Sequence, residues 1–372
     1  MNLELTDEQV ALRDTTRRFL AEKASISDHV RPLLDDPTGT DDAVWRGLAG
    51  LGTTGLLVPE DHGGSGMTMV EAGIVAEELG AALHPGPWLS TAVAAPRALN
   101  LLGANDTATE LLRGIADGTT IAAVCFLDLD NASTAPMVAA RRDDGAVLRG
   151  EAAGVRDAAA ADVLLALADG QLLAVRNPSP GVSVTAERGV DPTRKHFRVT
   201  FDAAPARRLG PASAPQIAAV TDDVLIAGAA DALGAARAVM DLAVEYAKTR
   251  RQFGQPIGSF QAIQHLCVDM YETVELARSG VIHALWASDA VAGTDGQPGD
   301  ERHLAALRAK AFAGRLAAVA DTAIQVFGGI GYTWEHDAHL YLKRLLGWSA
   351  FLGGPDRHLT EIGARLAKRG RH

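Results

Sequence analysis

The hydrophobic period changes twice along this chain, near residue 119 and near residue 214, and that double switch excludes a repeating βαβ architecture. The first stretch carries apolar residues at helical spacing. Val10, Phe19 and Leu20 follow a Thr6–Gln9 pair of the capping-box kind, which satisfies free N–H groups at a helix start. Trp45, Leu48 and Leu51 mark a second helix, and Val70, Ile74, Val75 and Leu79 place a third over residues 69–82. Gly52, Gly55, Pro59 and Gly63-Gly64-Ser65-Gly66 punctuate the links; the glycine cluster follows no strand and reads as a turn. From Thr119 the apolar runs are short, divided by turn signals such as Asp143-Asp144-Gly145 and Asp169-Gly170, and they predict a compact antiparallel barrel or sandwich. Helical patterning returns over residues 222–246, 260–292 and 301–327. The expected fold class is α+β, with a helical part over residues 1–118, a small β domain over 119–210 and a helical bundle over 211–372.

The 372 residues suffice for two or three cores, and 47% hydrophobic with 22% charged content is that of a globular protein. No apolar run of about eighteen residues is present, so no membrane span is expected. The N-terminus carries acids early and lacks a signal-peptide apolar region, which points to a cytoplasmic protein. Cys125 and Cys267 stand far apart; they make neither a disulfide framework nor a good metal site. A net charge of −11 argues against a nucleic-acid partner, because phosphates would be repelled. The short basic C-terminus reads as a solvated tail.

Two segments carry ligand chemistry. Arg250 is a permanently charged planar fork suited to two phosphate oxygens, Gln252 can donate beside it, Phe253 can pack on a ring, and Gly254 is expected to end the preceding helix. Gly328, Gly329 and Gly331 follow Gln325 and allow close backbone approach to a ligand. Taken singly, each has a plainer reading: Arg250 and Arg251 complement a helix dipole, and the glycines make a tight turn. Glu335, His336, Asp337 and His339 have the look of a metal cluster, but no further cysteine or histidine lies close by in sequence, and a metal-free reading is preferred.

Three segments in order resemble the acyl-CoA dehydrogenase family. They are Leu51-Gly52-Thr53-Thr54-Gly55-Leu56-Leu57-Val58-Pro59-Glu60 with the glycine cluster and Glu77-Glu78-Leu79-Gly80; Arg250-Arg251-Gln252-Phe253-Gly254-Gln255-Pro256-Ile257-Gly258 with Phe260-Gln261; and Gln325-Val326-Phe327-Gly328-Gly329-Ile330-Gly331-Tyr332-Thr333. The Trp334-Glu335-His336 run and residues 339–344 also resemble some members. Their conjunction reverses the plainer readings. The resemblance implies a helical domain, a small β-barrel and a four-helix bundle at the core of a tetramer. It implies FAD as cofactor, an acyl-CoA substrate and electron-transferring flavoprotein as acceptor. Arg250, Gln252 and Phe253 would reach the flavin of a neighbouring subunit, with Gln261, Gln325, Gly328, Gly329 and Gly331 near its adenosine half.

Departures from the family fall in the other half of the site. The glutamate base of most members corresponds to Gly353, which can remove no proton. Some members carry the base on the helix before the Arg-x-x-Phe segment. Counting back from Phe253 puts that position at Val224, with Asp223 as a shorter substitute base and, against it, Asp222 and Asp223 as helix-start charges. Leu127-Asp128-Leu129 replaces a flavin-ring stretch, although Ser133 keeps its serine. Gly154-Val155-Arg156-Asp157 replaces another: Gly154 loses an aromatic wall, and Arg156 either stabilises an anionic flavin or fills the ring's space. The resemblance therefore implies FAD-dependent α,β-desaturation of an acyl-CoA, or a catalytically silent subunit that completes the FAD site of a paralogue in an α2β2 assembly. A flavoprotein monooxygenase or nitroalkane-oxidising relative is a third reading.

Overall fold

The structure, a computed structural model, describes residues 4–103, 105–127, 137–142, 145–289 and 300–369. Helix α1 (Asp7–Lys23) starts on the expected capping box: Gln9 N–H donates to Thr6 Oγ1 at 3.3 Å, and Thr6 N–H donates to Gln9 Oε1 at 3.0 Å. Helices α2 (Arg31–Leu33), α3 (Asp42–Gly50), α4 (Met69–Ala81), α5 (Ala95–Leu102) and α6 (Asp106–Ala116) complete the first part. The Gly63–Gly66 cluster is a packed turn: Gly63 has φ +83°, and a Cβ on Gly64 would lie within 3.0 Å of the Val58 backbone.

Seven strands follow: β1 (Ala122–Val124), β2 (Val138–Arg142), β3 (Gly145–Arg156), β4 (Val163–Ala168), β5 (Gln171–Arg176), β6 (Val182–Glu187) and β7 (His196–Pro211). They pair in the order β1-β4-β5-β7-β3-β2, with β6 also on β7. The sheet is mixed where an antiparallel one was expected. β1 runs parallel to β4, with Ala122 opposite Val163, because two strands intervene in sequence but not in space. Among the described residues no pairing joins β1 to β2, so the strand path is open and the expected barrel is not closed by hydrogen bonds.

Helix α7 (Ala214–Thr249) begins earlier than the periodicity marks, because Gln216 Oε1 accepts the Ser213 N–H at 3.2 Å and caps the start. Asp222 and Asp223 therefore lie inside the helix and not at its N-terminus. The hairpin β8 (Arg251–Gln252) and β9 (Gln255–Pro256) leads to α8 (Gln261–Asp289). The single helix expected over residues 301–327 is two, α9 (Asp300–Ala313) and α10 (Ala317–Phe327), broken at Gly314, which packs against Pro355. Helices α11 (Ala338–Ala350) and α12 (Pro355–Arg369) end the described chain. α7 is the central strut and packs on α4, α8, α9, α10 and α11. Among the described residues no helix is long and apolar enough to cross a membrane.

Where α4 meets this strut, the buried rings of His29 and His84 stack with centroids 5.4 Å apart and planes 2° from parallel. Burial pushes both imidazoles below their usual range, His84 strongly, with Arg194 and Arg344 adding to it. Below the ordinary value of 6.5 the unfolded chain takes up protons that the folded chain does not, so this pair costs stability as pH falls through that point. His84→Phe keeps a ring and removes the titration. Its thermal midpoint is expected to fall less between pH 7 and 5.5 than that of the parent chain, as read by scanning calorimetry.

Candidate functional site

Helix α7 ends at Thr249, and Arg250 caps it in an extended conformation, its N–H donating to Tyr246 O at 2.8 Å. Phe253 (φ +52°) and Gly254 (φ +83°) occupy the two-residue turn of the β8–β9 hairpin. This corrects the expected role of Gly254: it makes a hairpin turn, not a helix stop. Ile257 N–H donates to Arg250 O at 2.8 Å and closes the hairpin base. Arg250, Gln252, Phe253 and, at the start of α8, Gln261 are all exposed. Phe253 is 92% exposed at the tip, with only an edge contact to Phe260 at 6.0 Å. A phenyl ring so placed gains nothing from its own chain and is available to another body.

The glycine loop lies beside this hairpin. Tyr246, one turn before Arg250, packs on Phe327 at 5.2 Å, and Phe327 packs on His336 at 4.2 Å. Gln325, Gly328 and Gly329 are exposed, Gly328 has φ +67°, and a Cβ on either glycine would meet nothing within 4 Å. Gly331 differs: it is buried, and its Cβ would lie 3.1 Å from Phe327 Cβ, so it serves packing against α10. The polar run after the loop is tied down: Asp337 pairs with Arg31 of the first helical part at 2.7 Å, and His336 Nδ1 accepts the Ala338 N–H at 3.0 Å. Among the described residues no three metal-ligating side chains converge.

The other half of the site is built differently. Ser133 and the Asp128-Leu129 pair lie outside the described residues. The Arg156 guanidinium lies over the Phe351 ring, 3.6 Å from its centroid. Burial lowers its pKa to about 10. Arg156 belongs to the segment that would flank a flavin ring, and Phe351 stands just before Gly353, the position of the missing base. The two stretches that the resemblance places on either side of a flavin ring touch each other here.

Beneath them Lys310 is fully buried, 4.0 Å over the Trp348 ring, donating to Trp348 O and, at 3.3 Å, to Ser349 O. Burial pushes this ammonium down to about 7. Gly353 has φ +97°, and a Cβ there would lie 2.7 Å from Arg357 Cδ. Neither Lys310 nor the Arg156–Phe351 contact was legible in the sequence, since the pairs are far apart along the chain.

Asp223, the substitute base, is fully buried and hydrogen-bonded on both oxygens. Its Oδ2 accepts from Arg97 Nε at 2.5 Å, and its Oδ1 accepts from Arg302 Nη2 and Ser288 Oγ, each at 2.6 Å. Two guanidiniums and a hydroxyl engage both oxygens of this buried carboxylate, which ties α7 to its neighbours. The geometry argues for a helix-tying charge and against a base. Asp222 is likewise bound, 2.9 Å from His303 Nδ1, whose pKa it raises; burial raises its own. Asp223→Asn is expected to lower the thermal midpoint and to leave turnover per bound flavin unchanged in the assembled protein.

A helical part, a mixed sheet and a helical bundle, with an arginine-bearing hairpin beside a glycine loop, define the class of fold to which the comparisons then give a family. Residues 6–119 match the acyl-CoA dehydrogenase N-terminal domain family and residues 226–367 the C-terminal domain family, and the chain belongs to the acyl-CoA dehydrogenase family of oxidoreductases. It is 37% identical over 371 residues to acyl-CoA dehydrogenase FadE34 of Mycobacterium tuberculosis, covering 97% of this chain and 48% of that protein. It thus spans about half the length of that relative. Acyl-CoA dehydrogenase IpdE2 of the same organism is 33% identical, with 96% of each chain covered. Among solved structures, the ChsE4–ChsE5 complex from Mycobacterium tuberculosis superposes with a TM-score of 0.88 at 26% identity, covering 99% of both chains. Family members are flavoproteins.

Proposed function

We propose that this chain is one subunit of an oligomeric, FAD-dependent acyl-CoA dehydrogenase, and that it completes the flavin site of a paralogous catalytic subunit while using no flavin-ring site of its own. The observation that carries this reading is the Arg156–Phe351 contact, which brings together the two stretches that the resemblance would set on either side of a flavin ring. The absence of a carboxylate at Gly353 and the engagement of both Asp223 oxygens agree with it. The exposed hairpin and loop fit the dinucleotide end, because their donors and open glycines face outward. The ring end does not fit. The ChsE4–ChsE5 neighbour is a complex of two named components, which favours a paired assembly over a chain that desaturates alone.

When bound in that assembly, FAD supplies the hydride acceptor for α,β-desaturation. Arg250 would neutralise the pyrophosphate, Gln252 would donate beside it, Phe253 would pack on the flavin or adenine, and Gln261 would lie near the adenosine half. Gln325, Gly328 and Gly329 would hold the adenosine end, with Gly331 shaping the loop from behind. The α-proton would pass to a carboxylate of the partner, since Gly353 carries none and Asp223 is engaged by Arg97, Arg302 and Ser288. Electron-transferring flavoprotein is the proposed acceptor.

The test is expression alone and with adjacent-gene paralogues. Colourless protein alone and a yellow complex that acyl-CoA bleaches are expected; one flavin per chain, bleached by substrate without a partner, would refute the reading. In the complex, Arg250→Ala is expected to weaken flavin retention about 10–100-fold, as loss of a charged hydrogen bond of ~1.5–3 kcal/mol implies. Equilibrium dialysis with FAD measures it.

A further inference from the structure

His303, on α9, is bonded through both ring nitrogens to carboxylates on two other helices. Its Nδ1 lies 2.9 and 3.1 Å from the two oxygens of Asp222 on α7, and its Nε2 lies 3.1 Å from Glu361 Oε1 on α12. An ionised carboxylate has no proton to donate, so both contacts are hydrogen bonds only when both nitrogens carry hydrogen. That species is the imidazolium. Asp222 above all, then Glu361, holds the ring's pKa above the ordinary histidine value of 6.5, against the opposing effects of burial and of Arg365. The clasp is therefore complete below 6.5 and is lost as pH rises through that raised value.

The two carboxylates are not equivalent. Asp222 is buried, and among the described residues its side chain bonds to His303 alone. Glu361 is half-exposed and also accepts from Arg365, one turn on in its own helix, at 3.1 Å from Nε and 2.9 Å from Nη2. When the ring loses one proton, the N–H that remains belongs at Nδ1, because a buried carboxylate without a donor costs more than a half-exposed one that keeps an arginine. The Nε2 lone pair then faces Glu361, and attraction becomes repulsion. Helix α12 buries little of itself: among its described residues only His358 and Ile362 are buried, and Ile362 packs on Leu304 and Leu307 of α9. A helix so lightly buried opens locally when a polar tie is lost.

The neighbouring charges do not reverse this. On α7, Asp223 is held by Arg97 and by Arg302, the residue before His303 on α9. No α8 side chain bonds to His303 among the described residues. On α12, burial keeps His358 below the usual range, so it is neutral throughout the window above 6.5. Lys310, farther along α9, titrates at about 7, but burial lowers its pKa, so rising pH relieves a cost there. Global stability therefore mixes two opposite trends, while the loss at His303 is confined to α12. We propose that His303 is a pH-sensitive latch: as an imidazolium it clasps α12 to the bundle through Glu361, and once neutral it keeps Asp222 and releases that helix.

The test is amide hydrogen exchange of the full chain at pH 6 and pH 8, read by mass spectrometry and corrected for the intrinsic rates. Protection of α12 is expected to fall several-fold at pH 8 while that of α4 holds. In His303→Gln, which donates and accepts without titrating, the fall should vanish. Glu361→Gln leaves the buried Asp222–His303 pair in place and offers either ring state a partner, so it too should abolish the fall. It decides the matter should His303→Gln not fold. Equal protection of α12 at both pH values in the parent chain, a fall shared equally by α4, or an undiminished fall in either variant overturns the proposal.

Discussion

Gly234→Ala is expected to leave most of the chain unfolded at 37 °C. Helices α4 and α7 cross so closely that each uses a glycine where the other's backbone passes. A Cβ on Gly234 would fall within 3.0 Å of Glu77 O and the Glu77 carbonyl carbon, and one on Gly80 within 3.0 Å of the Asp231 backbone. Real Cβ atoms keep beyond that distance, and the obstacle is main chain, which cannot rotate aside. The helices must separate, and the buried alanines and leucines between them lose contact together. The cost should exceed the ~1–3 kcal/mol of ordinary overpacking, a large share of the ~5–15 kcal/mol that holds a protein folded. Gly363→Ala is the control. It lies in α12 with nothing within 4 Å of the new atom, so better helix propensity should raise stability by ~0.5–1 kcal/mol. Urea midpoints of the two variants test the contrast; similar values would mean that helix propensity and not close crossing governs these positions.

Arg344→Met should destabilise the chain by ~3–5 kcal/mol, the usual result of removing one partner from a buried ionic group. Arg344 is 2% exposed and joins all three parts of the fold. Its Nη1 donates to Asp231 Oδ1 on α7 at 3.2 Å, its Nη2 to His84 O at 2.9 Å, and its Nε faces Asp191 beside the sheet. Methionine fills much of the volume, so the loss reports charge more than cavity. Asp231 would keep only Arg194 at 2.5 Å, and Asp191 would lose its guanidinium. The double variant Arg344→Met with Asp191→Asn should recover part of the loss, because it removes the stranded charge. A double variant no more stable than the sum of the two singles would show that Asp191 is not coupled to Arg344.

Much of the first layer of organisation was legible along the chain. Thr6 and Gln9, three residues apart, cap α1 because capping is a local interaction. The periodicity of Met69 to Ala81 identifies α4 because one face must be apolar wherever that helix docks. Phe253-Gly254 was seen as a breaker but assigned to the wrong element, since a glycine with positive φ serves a helix stop and a two-residue hairpin equally well. The parallel seating of β1 on β4 carries no sequence signal at all, because alternation is the same for either direction of pairing.

The same division runs through the site. The sequence, through the conjunction of its family-like segments, suggested that Arg250, Phe253 and the glycine loop suit a dinucleotide, and residue chemistry by itself determined that Gly353 cannot act as a base. Side chains there face outward or are absent, and such facts survive without knowing what lies opposite. Only the tertiary structure decided that Arg156 meets Phe351, that Asp223 is held by Arg97 and Arg302, and that Lys310 stands buried against Trp348. Those outcomes depend on segments about forty to two hundred residues apart, and on a low-dielectric interior that turns proximity into commitment. A charge's partner, and so its role, is fixed by packing and not by its neighbours in sequence.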